Sequence, residues 1–368
     1  MRSFVLILGQ DDPAGAMGAM AAAVLDRPGG GHLLRKGQRI GKAETAALAE
    51  LAGEAPGTQV SLILPDAGDV GEDEAALLLG GALAGPGVGL REPSQGRTRL
   101  TAVHAGLLLV DSARLAAANA VPDISIYSLF GGTPVAAGTL LAEAKITPLV
   151  APRAHVEQAV AVLSGQWSVV SDQLSAIRDP HSAIRNPQSA IEVWPFAART
   201  AGLLIREKLA PEAGLRLVES LRARLDWFGS GLAEADVMHL GGGRAEAAAG
   251  LRWLLDRGAD LLLTAGGSTS DPADPILCAL DDLGAVMLRR GVPIHPGSLL
   301  WVASCAQALV IGVPSCGAFS EQTSLDLLLP RLLALGPAGL DGIETLAEGG
   351  LLTRGMEHRF PDYGSSAP

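Results

Sequence analysis

The chain predicts an α/β protein: a C-terminal three-layer α/β/α domain on a mostly parallel sheet, preceded by an α+β region. Three observations predict it. Short apolar runs closed by glycine, above all Leu261 to Thr264 before Gly266-Gly267, read as buried parallel strands running into tight loops. From Ala201 onward such runs alternate with segments of helical apolar spacing, which predicts parallel strands joined by right-handed crossovers. The composition suits cores of Leu, Val and Ala, with 48% hydrophobic residues, 46 glycines and 4% aromatics in 368 residues.

That length exceeds one ordinary core. The chain divides into residues 1–164, an α+β region; 165–193, a linker; 194–345, the α/β/α domain; and 346–368, a tail. In the first part, Phe4 to Leu8 reads as a strand and the Ala/Met-rich Pro13 to Leu25 as helical. His32 to Ile40 reads as strand, turn at Lys36-Gly37 and strand, a solvated hairpin despite its basic residues. A helix follows from Ala43. Val60 to Leu64 is a strand, Asp66 to Asp73 an acidic turn, and Glu74 to Leu83 a helix. Arg97 to Leu100 and Gly106 to Val110 are strands. Asp111 opens a helix through Ala117, and Ile124 to Leu129 and Gly138 to Ile146 complete the region.

The linker carries a seven-residue repeat: Ser175-Ala-Ile-Arg-Asp-Pro-His, Ser182-Ala-Ile-Arg-Asn-Pro-Gln, Ser189-Ala-Ile. Pro180 and Pro187 remove helix donors, and each copy has one strong apolar position, so the period is not that of a coiled coil. Beyond it, Ala201 to Ile205 is the first strand of the C-terminal domain. Glu212 to Trp227 is a helix, Ala235 to Leu240 a strand, Ala245 to Asp256 a helix, and Leu261 to Thr264 the central strand. A helix runs from Pro275 to Leu283. Ala285 to Leu288, Leu299 to Ala303 and Ala308 to Gly312 are strands, and a last helix spans Gln322 to Leu335.

Charge and cysteine usage narrow the function. A net charge of −11, with no basic stretch to offset it, excludes nucleic acid as the main partner. Cys278, Cys305 and Cys316 lack CxxC spacing and read as buried or incidental thiols rather than a zinc site or disulfides. No apolar run approaches a membrane span, and the N-terminal apolar run is too short for a signal peptide, so a cytoplasmic protein is expected. The candidate site is the loop after the central strand. Gly266 and Gly267 let backbone amides approach an anion, Ser268, Thr269 and Ser270 add donors, and a helix begins at Pro275. Asp271 and Asp274 would repel a bare phosphate and so suggest Mg²⁺; the plain alternative is helix capping. Ligands of such sheets bind at the carboxyl ends of the strands, where the loops at Gly266 to Asp274, His295 to Ser298 and Pro314 to Gly317 can converge.

Those loops carry a resemblance. Thr264-Ala-Gly-Gly-Ser-Thr-Ser-Asp-Pro-Ala-Asp, Gly291-Val-Pro-Ile-His-Pro-Gly-Ser and Val310-Ile-Gly-Val-Pro-Ser-Cys-Gly form an ordered set. The set resembles the molybdopterin-binding domain of molybdenum-cofactor biosynthesis proteins, the gephyrin-like group of molybdopterin adenylyltransferases and molybdotransferases. The stretches LLRKGQRI and GDVGEDEAA, with the strand–helix step at Leu107, resemble a divergent gephyrin-like N-terminal region. The resemblance implies that Thr264, Gly266, Gly267, Ser268, Thr269 and Ser270 hold the ligand, and that Pro296, Gly297, Ser298, Pro314 and Ser315 shape its pocket. It also implies that Asp271 and Asp274 are catalytic carboxylates near a metal. Ser315 departs from the family, which has Gly there. Ile205-Arg206-Glu207 replaces TG-x-E, so Glu207 alone survives of that loop. The expected function is binding of molybdopterin or molybdenum cofactor in its biosynthesis or delivery, with transfer of molybdate to molybdopterin, or its adenylylation, with Mg²⁺ as the catalytic version. The alternative is a non-catalytic carrier or chaperone serving a molybdoenzyme. A pterin ligand, a molybdoenzyme partner and a homo-oligomeric assembly are the implied interactions.

Overall fold

The computed structural model describes residues 1–165, 189–206, 211–266, 270–313, 322–353 and 355–364. It is a mixed α/β fold, with eight α-helices among the described residues and a six-stranded sheet in the C-terminal half. The repeat lies outside the described residues as far as residue 188.

The six-stranded sheet orders its strands Gly231–His239, Thr200–Ile205, Leu261–Ala265, Ala308–Val313, Trp301–Cys305, Val286–Arg290. The first four run parallel, Trp301–Cys305 runs against them, and Val286–Arg290, antiparallel to Trp301–Cys305, runs in the direction of the first four. Alternation along the buried strands builds two cores. Leu203, Ile205, Leu261, Leu263 and Ile311 face the helices Pro211–Trp227 and Ser324–Leu335, meeting Leu217, Leu221, Leu328 and Leu332. Leu204, Leu262 and Val310 face the helices Arg244–Asp256 and Pro275–Asp282, meeting Leu251, Leu254, Ile276 and Leu280. A period-two strand buried on both faces makes a three-layer sandwich. Ile343, Leu352 and Phe360 join the first of these cores, so residues of the expected tail are packed.

Packing divides the preceding part of the chain into two cores. Leu6, Leu48, Leu51 and Leu62 belong to one, around the sheet of Arg2–Ile7, Gln59–Leu64 and Met20–Ala21. Leu79, Leu100, Leu108, Ile126, Ala144 and Val156 belong to the other, around mainly antiparallel strands. Several expectations are corrected here. Pro13 to Leu25 is not a helix: a 3-10 turn at Pro13–Ala16 gives way to Gly18 at φ +82°, and Met20–Ala21 joins the edge of a sheet. His32–Leu34 pairs with Leu25–Asp26 rather than with the chain beyond Gly37. The helix Arg153–Leu163 was not foreseen, although Val156, Ala159 and Leu163 give it an apolar stripe. The expected linker ends too late. Ile191–Pro195 is a strand on Gly106–Val110, with Ala190, Ile191 and Val193 buried, so Ala201 does not open the first strand after the repeat.

Candidate functional site

Four parallel strands deliver their carboxyl ends to one edge of the sheet. The central strand ends at Ala265, and Gly266 follows at φ +85°, a left-handed conformation that glycine adopts without steric cost. Arg206 donates its backbone N–H to Ala265 O at 2.9 Å, and Leu240 donates to Ile205 O at 2.8 Å, which ties the three neighbouring ends together. Gly241-Gly242-Gly243 therefore lies beside Arg206 and leads into the helix Arg244–Asp256. A methyl group placed on Gly241 or Gly243 would meet nothing within 4 Å among the described residues. At Gly242 it would run into the carboxylate of Glu246, which folds back over the turn.

Asp274 sits at the centre. Its side chain is 2% exposed. Oδ1 accepts from Ile276 N at 2.9 Å and Leu277 N at 3.3 Å, capping the helix Pro275–Asp282. Oδ2 accepts from Arg206 Nη1 at 3.1 Å, and the arginine side chain is 29% exposed. Proline in the first turn and a capping aspartate are the reasons a helix starts here. The buried carboxylate thus has two helix amides and a guanidinium as partners, and Arg206 is pinned at the sheet edge. Asp271 is exposed and accepts from Ala273 N at 2.8 Å, a local turn. Ser270 is exposed beside it, and Thr264 is buried in the strand. Among the described residues no group of three or more His, Cys, Asp or Glu comes together to hold a metal.

The turn at His295 to Ser298 reaches the same edge from the helix side. The His295-Pro296 bond is cis. Ser324 N donates to Pro296 O at 2.9 Å, and Ser324 Oγ donates to Gly297 O at 2.7 Å. Pro296 and Gly297 therefore rest on the start of the helix Ser324–Leu335, while Ser298 faces out. That helix begins with a capping box: Thr323 Oγ1 accepts from Leu325 N at 3.2 Å, and Asp326 Oδ2 accepts from Thr323 N at 2.7 Å. Asp326 also holds Arg224 Nε at 2.8 Å from the neighbouring helix, and both side chains are almost completely buried.

Thr264, Gly266, Asp271, Asp274, Pro296 and Gly297 thus occupy one end of the C-terminal domain. Glu207, Gly267, Ser268, Thr269, Pro314 and Ser315 lie outside the described residues, although the strands leading to them end at this edge. Part of the motif is packing. Trp301 lies across Gly312, where any Cβ would collide with the indole, so that glycine serves the sheet. Sequence reading missed Arg206 as a site residue and missed Gly241 to Gly243. The triple glycine between a strand and a helix was the available signal; Arg206 had none, because its partner is 68 residues away.

No family model matches the chain, and no curated protein matches it. Among solved structures it is similar to a molybdopterin biosynthesis MoeA protein from Pyrococcus horikosii, at 14% identity, with a TM-score of 0.29 over 73% of this chain and 81% of that one. It is also similar to a NadC deletion mutant, at 11% identity and a TM-score of 0.14 over 47% of this chain and 58% of that one. Values this low bear on neither fold nor function. Among the described residues no helix is long and apolar enough to cross a membrane.

The contacts of Asp274 make a graded prediction. Asp274→Ala removes a helix cap and the partner of Arg206, which together are expected to cost about 2 kcal/mol, with Arg206 partly relieved by solvent. Asp274→Asn keeps the cap and is expected to lose roughly half as much. Asp271→Ala, at an exposed turn, is expected to stay within about 0.5 kcal/mol. Thermal melting of the three variants checks the order; equal melting temperatures for Asp274→Ala and the unaltered chain would remove the capping role.

Proposed function

We propose that the carboxyl edge of the C-terminal sheet binds a small anionic pterin, molybdopterin or the molybdenum cofactor, in the biosynthesis or delivery of that cofactor. One observation carries the reading: Arg206 is held by buried Asp274 where the ends of adjacent parallel strands meet, beside glycine turns and helix N-termini. Fixed guanidinium and backbone N–H groups are suited to phosphate. The ordered motifs at Thr264, Gly291 and Val310 supply the pterin part. The described residues fit such a ligand as donors, and none of them comes within 4 Å of a methyl group placed on Gly241 or Gly243.

A non-catalytic carrier is the version that Asp274 favours. Its carboxylate is occupied by two helix amides and Arg206, so the cation it needs is already supplied by the chain. Molybdate transfer with Mg²⁺ at Asp271 and Asp274 would set the metal beside the Arg206 guanidinium that already pairs with Asp274. The test is to identify, by mass spectrometry, the small molecule that co-purifies with the chain, and to titrate the emptied protein with molybdopterin with and without Mg²⁺. Saturable binding without Mg²⁺, lost in Gly267→Val at unchanged melting temperature, is expected. Absence of any pterin together with absence of binding would end the proposal, and turnover of molybdate would replace the carrier by the enzyme.

A further inference from the structure

The sheet of Ile124–Ser128, Leu140–Ile146, Arg97–Ala102 and Val88–Leu90 packs helices on one face only. Leu100, Ile126, Ala144 and Ile146 point inward, toward the helices Glu72–Leu83, Ser112–Asn119 and Arg153–Leu163. Successive side chains of a strand point to opposite faces, so register says what the other face presents. All four strands lie within the described residues. One row crosses the sheet as Tyr127, Glu143, Arg99 and Arg91. The first three are register partners, and Arg91 donates its backbone N–H to Arg99 O at 3.0 Å. The row on one side is Ser125, Lys145 and Arg97. The row on the other side is Leu140, Thr101 and Gly89. A methyl group on Gly89 would lie 3.5 Å from Val103 Cγ2, which puts Val103 on this face as well.

The face has a basic half and an apolar half. Arg91, Arg97, Arg99 and Lys145 stand around a single strand carboxylate, Glu143, in a chain of net charge −11. Glu143 Oε2 accepts from Tyr127 Oη at 2.6 Å, its Oε1 accepts from Arg99 Nε at 2.9 Å, and Arg97 Nη1 is 3.6 Å away. The carboxylate therefore fixes Tyr127 and Arg99, while the Arg99 side chain stays 56% exposed. Other acids approach only at the turn beyond Arg91: Glu92 is exposed there, and Glu72 and Asp73 reach Gly96 from the helix Glu72–Leu83. The apolar half is Tyr127, Leu140 and Val103, at 46%, 45% and 62% exposed. A sheet face that only meets water is polar, so large apolar side chains grouped beside cations mark a contact surface. Tyrosine and arginine are the residues enriched at such surfaces.

Size and charge choose the occupant. Three strand spacings make the face about 14 Å wide, and the run from Arg97 to Val103 makes it about 20 Å long, or about 300 Å². A stable contact between globular proteins needs roughly 800 Å² per partner, so the face suits a short segment. We propose that this face docks an extended acidic segment of a partner protein, with carboxylates on Arg91, Arg97, Arg99 and Lys145 and apolar side chains beside Tyr127, Leu140 and Val103. Two copies of the chain meeting symmetrically through this face would set like charges opposite one another. A nucleic acid would gain from the cations but would meet Glu143 and the aliphatic half without a partner for either. The surface lies on a different sheet from the pterin site and does not depend on it.

The test titrates the full chain with a fluorescein-labelled peptide of about six residues that alternates glutamate and leucine, long enough to cross the face. Saturable binding that weakens with added salt is expected. The same peptide with glutamine in place of glutamate is expected to bind about tenfold more weakly. Arg97→Gln and Arg99→Gln are each expected to weaken binding about fivefold, and Leu140→Ser about threefold. Arg27→Gln, at an exposed arginine of another sheet, leaves it unchanged. The melting temperature of each variant checks that the fold is retained, and Arg99→Lys, which keeps the charge, is expected to recover part of the affinity. Absence of saturable binding, equal affinity for the glutamine peptide, or undiminished affinity in both arginine variants would overturn the proposal. A single-stranded oligothymidylate that binds more tightly than the peptide and is lost in the same variants would overturn it in favour of nucleic acid. Self-association of the chain that Arg99→Gln abolishes would overturn it in favour of a second copy.

Discussion

Asp326→Ala is expected to destabilise the C-terminal domain by about 3–5 kcal/mol, the usual cost of removing one partner from a buried ion pair. The side chains of Arg224 and Asp326 are 7% and 0% exposed, so the arginine left behind has little access to water. The same substitution breaks the capping box, because Asp326 Oδ2 holds Thr323 N. For a domain of this size a loss of that magnitude lowers the melting temperature by about 10 °C or more. Asp326→Asn keeps an acceptor for Thr323 and is expected to fall between the two. Differential scanning calorimetry measures all three, and an Asp326→Ala protein melting within 2–3 °C of the unaltered chain, roughly 1 kcal/mol, would show that the pair carries no stability. The consequence for the site is local: with its cap lost, the start of the helix Ser324–Leu335 no longer holds Pro296 and Gly297 in place.

Gly297→Ala attacks the same junction from the other side. Gly297 is buried at φ +104°, where an L-residue is strained, and an added Cβ would collide with Ser324 Oγ and lie 3.0 Å from Ser324 N. Strain of about 1–3 kcal/mol plus displacement of the helix start gives an expected loss of roughly 3 kcal/mol or more. Ser324→Ala in the same chain removes the hydroxyl and is expected to recover part of that loss, a coupling typical of residues in contact. Melting curves of the two single variants and the double variant check it. Full additivity would mean that the turn and the helix do not meet as described.

The order of strands and helices from Ala201 to the helix Pro275–Asp282 was legible because each apolar run is short and is followed by a segment of helical period, and the central run is closed by glycine. The strand Leu261–Ala265 and the helix Pro275–Asp282 follow directly from LLLTA and PILCAL. Elements held by neighbours distant in sequence were not legible. Pro13 to Leu25 has the alanines of a helix, yet the chance to bury Ala19 and Ala21 beside Gln59–Leu64 outweighs propensity. Ile191–Pro195 borders a proline-punctuated repeat, and only its partner Gly106–Val110 makes it a strand.

The site divides the same way. By itself the sequence determined the class of sheet, the loop after Ala265, the turn at Pro296-Gly297 and the candidate carboxylates, since glycine spacing and apolar period are local properties. Tertiary structure alone decided what those residues do to one another. It spent Asp274 on a helix cap and on Arg206, assigned Gly312 to the Trp301 ring, and set Gly297 against Ser324. The physical reason is distance along the chain. A carboxylate's role depends on which cation lies within about 4 Å of it, and nothing local to Asp274 announces an arginine 68 residues earlier.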